Sequence, residues 1–260
     1  MEYSSGLFNC AASEIQDGKP GQAREDCSRF AARLEKLRPL DLLEFGQYQL
    51  PGSGKPTDVD VRAPISWLVM ARQGRRLLLL SQRCLDWEFF DGSGTLFAPC
   101  PAAAWESSYA REYLSQKCFP RWFSPAQQAV IAPVRLKNEA NPLTRCPDAA
   151  ETEDRLFLLS REEILQLEDQ LPHSDWLPAA LLMADENLSG EGIELYLQPC
   201  SWWLRTCGRE DGDVAAVEED GSVDLVGKDS GCDEVGLRPA IWLDLDRIAR
   251  LPELLRPDQL

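Results

Sequence analysis

Four consecutive leucines, Leu77-Leu78-Leu79-Leu80, constrain this chain more than any other feature. Successive side chains of a strand point to opposite faces, so an unbroken apolar run suits only a strand covered on both sides. The run therefore predicts a central strand with neighbours at both edges and a packed layer on each face. Ile65 to Ala71 and Arg75 to Gln82 flank Gln73-Gly74, which reads as a hairpin. A chain of 260 residues is long enough to bury such a core.

The remaining elements follow from period and punctuation. Residues 1 to 20 read as a polar lead-in, and residues 22 to 38 as a helix carrying Phe30, Leu34 and Leu37 on one side, ended by Pro39. Leu42 to Leu50 reads as a strand with a bulge or close approach at Gly46, and residues 51 to 60 as a loop. Trp105 to Cys118 has helical spacing. Ser124-Pro125-Ala126-Gln127 and Ser160-Arg161-Glu162-Glu163 are two capping boxes, the second opening a helix to about Leu171. Residues 133 to 153 read as a polar loop and Leu156 to Leu159 as a short strand. Four strands are expected late in the chain, at Ser201–Thr206, Asp213–Val217, Ser222–Val226 and Val235–Leu243, with a turn at Glu219-Asp220-Gly221. The class is α+β, with mixed or antiparallel strands from both ends of the domain pairing in one sheet system and helices from the middle of the chain. The expected divisions are an extension with one helix over 1–39, a domain over 40–246 and a short tail over 247–260.

Charge narrows the partners. The formal net charge is −16, which repels phosphate backbones and anionic lipid, and the sequence shows no basic patch. Neither nucleic acid nor a membrane is expected as a partner. The first ten residues contain no positive cluster and no apolar core, so no classical secretory signal is expected. Nine cysteines without a CxxC motif then predict reduced, unpaired thiols and a cytoplasmic protein. A zinc site from Cys200, Cys207, Cys232 and His173 has no usual spacing, and inert buried thiols are the preferred reading. His173 is the sole histidine, which argues against a Ser-His-Asp or Cys-His device.

Taken in order, several segments carry a resemblance. They are Leu43-Glu44-Phe45-Gly46-Gln47-Tyr48, Pro64-Ile65-Ser66-Trp67-Leu68-Val69, the leucine run, Trp105-Glu106-Ser107-Ser108-Tyr109-Ala110-Arg111-Glu112-Tyr113-Leu114, Phe123-Ser124, Leu156-Phe157-Leu158-Leu159-Ser160, Trp202-Trp203-Leu204-Arg205 and Gly236-Leu237-Arg238-Pro239-Ala240-Ile241-Trp242. From about Leu42 to Leu243 the chain resembles the bacterial family called domain of unknown function 6273. The resemblance implies a C-type-lectin-like fold related to the formylglycine-generating-enzyme type. Several proteins of that fold are variable binding proteins of diversity-generating retroelements, which bind near the C-terminal part of the fold. No catalytic residue is implied. Ala104 stands where the family usually has a helix N-cap, which puts local capping in question.

Three groups of residues compete for a role. Trp202 and Trp203 face opposite sides of a strand; Trp203 is a candidate ligand platform, with core packing as the preferred alternative. Arg111, Arg205 and Arg238 sit among apolar residues and must meet carboxylates or backbone carbonyls; they are expected as structural buried charges, paired with such acids as Glu44, Glu112 or Asp154, and an acidic partner is expected for Arg238. Residues 207 to 235 hold ten acids against Arg209 and Lys228. Without a calcium-loop pattern they read as a solvated, exposed face, and Asp211, Asp213, Glu218, Glu219 and Asp220 are its candidate ligand-binding residues.

The expected function is non-enzymatic binding of a protein or other macromolecule, a basic one suiting the acidic face, without a cofactor or metal. The alternatives are a structural accessory domain and an oxidoreductase of the formylglycine-generating type. The latter chemistry needs a cysteine pair holding copper; Cys200 and Cys207 are the only pair close in sequence, and the motifs around them do not resemble that enzyme.

Overall fold

The four leucines lie in β3 (Arg76–Ser81) of the computed structural model, which describes residues 20–50, 61–92, 103–144, 149–186 and 193–254. All four are buried, and β3 is paired at both edges. One neighbour is β2 (Arg62–Gln73), through the hairpin turn at Gly74, whose positive φ of 58° suits glycine. The other is β14 (Ala240–Asp244), so strands from the two ends of the domain share one sheet. That sheet is completed by β1 (Leu42–Gln49) and β5 (Ile131–Ala132), in the order β1-β2-β3-β14-β5.

A second five-stranded sheet has the order β12-β11-β10-β13-β4. Its strands are β4 (Asp86–Trp87), β10 (Trp202–Cys207), β11 (Asp213–Val217), β12 (Val223–Asp229) and β13 (Gly236–Leu237). The class is thus α+β with mostly antiparallel strands; β10 and β13 pair in parallel at Trp202 and Gly236. The single strand expected over Val235–Leu243 is instead two. The chain leaves one sheet after Leu237 and joins the other at Ala240, with Arg238-Pro239 between them. Pro239 has no N–H to donate to a ladder, and its carbonyl accepts from Ser81 N at 2.9 Å.

Other expectations are corrected. The stretch 133 to 153, expected as a polar loop, contains a hairpin of β6 (Val134–Asn138) and β7 (Ala149–Asp154); Val134-Arg135-Leu136-Lys137 alternates over only four residues and its partner Ala149–Asp154 shows no apolar pattern. Leu156 to Leu159 makes only one bridge, from Phe157 to Ala240. A further hairpin, β8 (Ala180–Glu186) with β9 (Ile193–Pro199), was not anticipated. The N-terminal helix α1 (Pro20–Leu34) stops four residues earlier than its apolar pattern suggests. There Arg72 Nη2 donates to the carbonyls of Leu34, Glu35 and Leu37, satisfying helix-end acceptors from outside the helix. Most of the lead-in over 1–20 and the loop over 51–60 lie outside the described residues.

Local capping explains the middle of the chain. Ala104 provides no side-chain cap, and the chain makes only a 3-10 turn at Trp105–Ser107. Ser108 then caps α2 (Tyr109–Glu112), which runs through a π-helix (Tyr113–Cys118) into α3 (Phe119–Trp122). Both capping boxes form, at Ser124 before α4 (Pro125–Val130) and at Ser160 before α5 (Arg161–Glu168). After β14 come α6 (Leu245–Ala249) and α7 (Leu251–Leu254), within the segment expected as a tail. The buried face of α1, including Cys27, Phe30 and Leu34, packs on them. Arg75 joins the ends, pairing with Glu35 after α1 and, at 2.6 Å, with Asp246 in α6.

Candidate site at the acidic edge of the second sheet

Each of the three arginines finds acceptors, but of different kinds. Arg111 Nε donates to Asp154 Oδ1 at 2.7 Å, and Trp105 Nε1 donates to the other oxygen at 3.0 Å. Arg205 Nη2 donates to Glu163 Oε1 at 2.8 Å and its guanidinium also reaches the carbonyls of Leu158 and Lys137. Arg238 is the exception to the expected acidic partner. It is fully buried, and it donates to Ser81 O at 3.0 Å, Trp176 O at 2.6 Å, Leu177 O at 3.1 Å and Gln82 O at 3.3 Å. Among the described residues no carboxylate pairs with it, and burial pulls its pKa from 12.5 down to about 10. Its crossover between the two sheets aims it at loop carbonyls, which an extended-backbone reading of Arg238-Pro239 could not foresee.

Trp203 is not a surface platform. It is fully buried, its Nε1 donates to Glu88 O at 2.9 Å, and its ring meets Phe90 edge-on. Trp202 is buried on the opposite face, with Nε1 donating to Leu177 O at 3.0 Å. Both faces of β10 are covered, so both indoles are core.

The five candidate acids do not form one cluster. Asp211 and Asp213 lie at the start of β11, whereas Glu218, Glu219 and Asp220 follow its far end. At about 3.3 Å per residue the two groups are more than ~10 Å apart. Asp213 faces Asp229 across the ladder, and burial followed by the charges of Asp229 and Glu210 raises its pKa. Asp220 accepts from the amide and hydroxyl of Ser222, which hold its pKa down. Glu218 accepts from Ser201 Oγ at 2.7 Å and pairs with Lys228 Nζ at 2.8 Å.

Glu218 and Glu219 of the second group border a large opening. A cavity of about 760 Å³ is lined by Glu218, Glu219, Lys228 and Glu234, with Tyr196 on one wall and Cys200 among its lining residues. On β9, Tyr196 and Gln198 face this cavity, while Leu195 and Leu197, 52% and 54% exposed, alternate onto the opposite face of the strand. Lys228, Glu234 and the β9 side chains are the members of this site that sequence reasoning missed. The alternation Ile193-Glu194-Leu195-Tyr196-Leu197-Gln198 marks β9 as a strand, but which of its faces borders the cavity is set by its pairing with β8.

A second cavity, of about 730 Å³, lies on the other side of β4. Trp87 lines the first cavity and Asp86 the second, as alternate residues of a strand must. Tyr113, on the π-helix, donates its hydroxyl to Asp86 Oδ2 at 2.6 Å, and burial raises the Asp86 pKa. Arg62, Lys117 and Arg121 also line this cavity, a small basic cluster assembled by folding from residues that show no patch in sequence.

Cys200 and Cys207 stand at opposite ends of β10, about 20 Å apart for seven extended residues, so they cannot share one metal. Among the described residues no group of three or more His, Cys, Asp or Glu could hold a metal ion. Cys84, Cys118, Cys200, Cys207 and Cys232 are in no disulfide, while Cys10, Cys100 and Cys146 lie outside the described residues. No described helix is long and apolar enough to cross a membrane.

A family model described as "Domain of unknown function (DUF6273)" matches residues 78–245, from β3 through β14 to the first residue of α6. No curated protein and no solved structure matches the chain.

Proposed function

The chain belongs to the DUF6273 family, and from that premise we propose that it is a non-enzymatic, C-type-lectin-like domain of the cytoplasm that binds a protein with a basic surface. The observation that carries the reading is the juxtaposition at the cavity edge. Glu218, Glu219 and Glu234 line an opening whose wall includes Tyr196, 37% exposed. An exposed aromatic ring beside a charged rim is the making of a protein interface, and the acids select for a cationic partner. A rigid sheet holds both ends of the acidic loops, as in variable binding proteins of diversity-generating retroelements. A reverse transcriptase gene nearby, with a near-repeat of the 3′ coding region, would place the chain among those proteins.

The test compares two variants of the full chain as baits in extracts of its native host. Glu218→Gln with Glu219→Gln and Glu234→Gln should abolish retention of the partner at about 0.1 M salt without changing the melting curve. Asp211→Asn with Asp213→Asn, at the far end of β11, should leave retention intact. Wild-type binding should weaken toward about 1 M salt, where the Debye length shrinks to about 3 Å. Retention by the triple variant, or undiminished binding at high salt, would reject this face.

A further inference from the structure

Cys84 and Cys200 are far apart in sequence and adjacent in space. Cys84 N donates to Ala180 O at 3.1 Å and Cys200 N donates to Ala179 O at 3.2 Å, so two neighbouring carbonyls hold both backbones. Gly236 leaves the space for the two thiols: a Cβ there would lie 2.7 Å from the Cys84 Sγ and 3.2 Å from the Cys200 Sγ.

Their surroundings are not those of inert core thiols. The buried guanidinium of Arg238 has no carboxylate partner among the described residues, and the ionisable groups acting on it are these two thiols. The two sulfurs differ in access. Cys84 is fully buried, and burial holds its thiol in the protonated form. Cys200, itself 3% exposed, is among the residues lining the 760 Å³ cavity, the side on which a small solute meets the pair first. Two adjacent sulfurs of which one borders an opening have the geometry of a dithiol that closes to a disulfide once that sulfur is oxidised.

We propose that Cys200 and Cys84 form a dithiol site that reduces a small hydroperoxide, with Cys200 as the attacking sulfur and Cys84 as the resolving one. In the first step Cys200 Sγ attacks the terminal oxygen of the hydroperoxide. The S–O bond forms, the O–O bond breaks, and the departing oxygen takes the proton lost by the Cys200 thiol; with hydrogen peroxide this gives water and a sulfenic acid. In the second step Cys84 Sγ attacks the Cys200 sulfur. The S–S bond forms, the S–O bond breaks, and the hydroxide leaves as water with the Cys84 proton. One peroxide is reduced to two waters and two thiols are oxidised to one disulfide. Cys200 opens into the same cavity as the proposed protein-binding face, but neither step uses the acidic rim, and each chain reacts once without turnover, so the oxidation and the protein binding are tested separately.

The test is to expose the full reduced chain to hydrogen peroxide, quench at intervals, denature, alkylate and analyse the peptides by mass. The expected result is a Cys84–Cys200 cross-linked pair, lighter by two hydrogens, forming at least about tenfold faster than Cys118, a buried thiol away from Arg238, is oxidised. Cys84→Ser should stop at a Cys200 sulfenic acid that dimedone traps, and Cys200→Ser should leave Cys84 unoxidised. The wild-type measurement stands even if a variant fails to fold. Oxidation of Cys200 no faster than that of Cys118, or cross-linking of either cysteine to another partner, would overturn the proposal.

Discussion

The guanidinium carbon of Arg238 sits 5.0 Å from the centre of the Trp202 ring. The cation thus has an aromatic face on one side and four backbone carbonyls around its rim, the only described groups that hydrogen bond to it. A planar fork with fixed N–H directions can reach paired acceptors on two separate segments at once, and a lysine cannot. These segments are the end of β3 with the residue after it and the loop before β8, so one side chain on the crossover ties the two sheets to that loop.

Arg238→Ala should therefore cost about 3–5 kcal/mol, since it opens a cavity and leaves buried carbonyls without donors. Arg238→Lys should recover less than half of that loss. Urea denaturation of the three proteins decides the matter; an alanine variant with the wild-type midpoint would show that the carbonyls are solvated in the native state.

Glu163 has two duties. Its Oε2 accepts from Ser160 N at 2.9 Å, closing the capping box of α5, and the same carboxylate pairs with the buried Arg205. Glu163→Ala should cost about 3–5 kcal/mol by stranding that arginine. Glu163→Gln keeps an acceptor for each and should cost about 1.5–3 kcal/mol. Equal losses in the two variants would mean that the charge, not the cap, accounts for the effect.

Gly46 has a φ of 82° beside a register shift in the β1–β2 ladder, where a Cβ would lie 2.7 Å from the Phe123 ring and 2.9 Å from Trp122 O. The left-handed conformation alone costs a non-glycine residue roughly 1–2 kcal/mol. Gly46→Ala should lower stability by about 2 kcal/mol or more, the excess coming from displacement of Phe123. A thermal melt within a degree of wild type would contradict that.

Alkaline pH should reveal two opposing groups. Burial pushes the Tyr48 hydroxyl up to about 12, so the folded state holds this proton more tightly than the unfolded state does. Its stabilisation is complete below the usual tyrosine value near 10 and is lost as pH rises through about 12. Arg238, depressed to about 10, has the opposite slope over the same window. Tyr113 and Cys118 are raised by burial and add to the loss. Tyr48→Phe keeps the edge-on contact with Trp122 and should flatten the fall of the urea midpoint between about pH 10 and 12. A variant whose midpoint falls as steeply as the wild type's would assign the loss to other groups.

Elements whose signal is local were legible in the residues. The leucine run required a doubly covered strand, Ser124 and Ser160 announced their helices, and Gly46 marked a close approach; each depends on side chains within a few positions of one another. Hairpins β6–β7 and β8–β9 were only half written in the residues: Val134-Arg135-Leu136-Lys137 and Ile193-Glu194-Leu195-Tyr196-Leu197 alternate as strands do, but their partners β7 and β8 do not, and one short alternating run does not say where it will pair. The split of Val235–Leu243 between two sheets was decided by tertiary structure as well, for nothing local says which partner each half will find. At the candidate sites the residue types were readable and their company was not. That the Arg111 guanidinium meets Asp154 was among the pairings the sequence allowed, whereas Arg238 meeting only carbonyls was not. The division of five acids between the ends of β11, and the meeting of Cys84 with Cys200 over Gly236, follow from the path of the chain through space. Composition sets which charges and thiols a protein has, and packing sets which of them lie close enough, and dry enough, to change one another's chemistry.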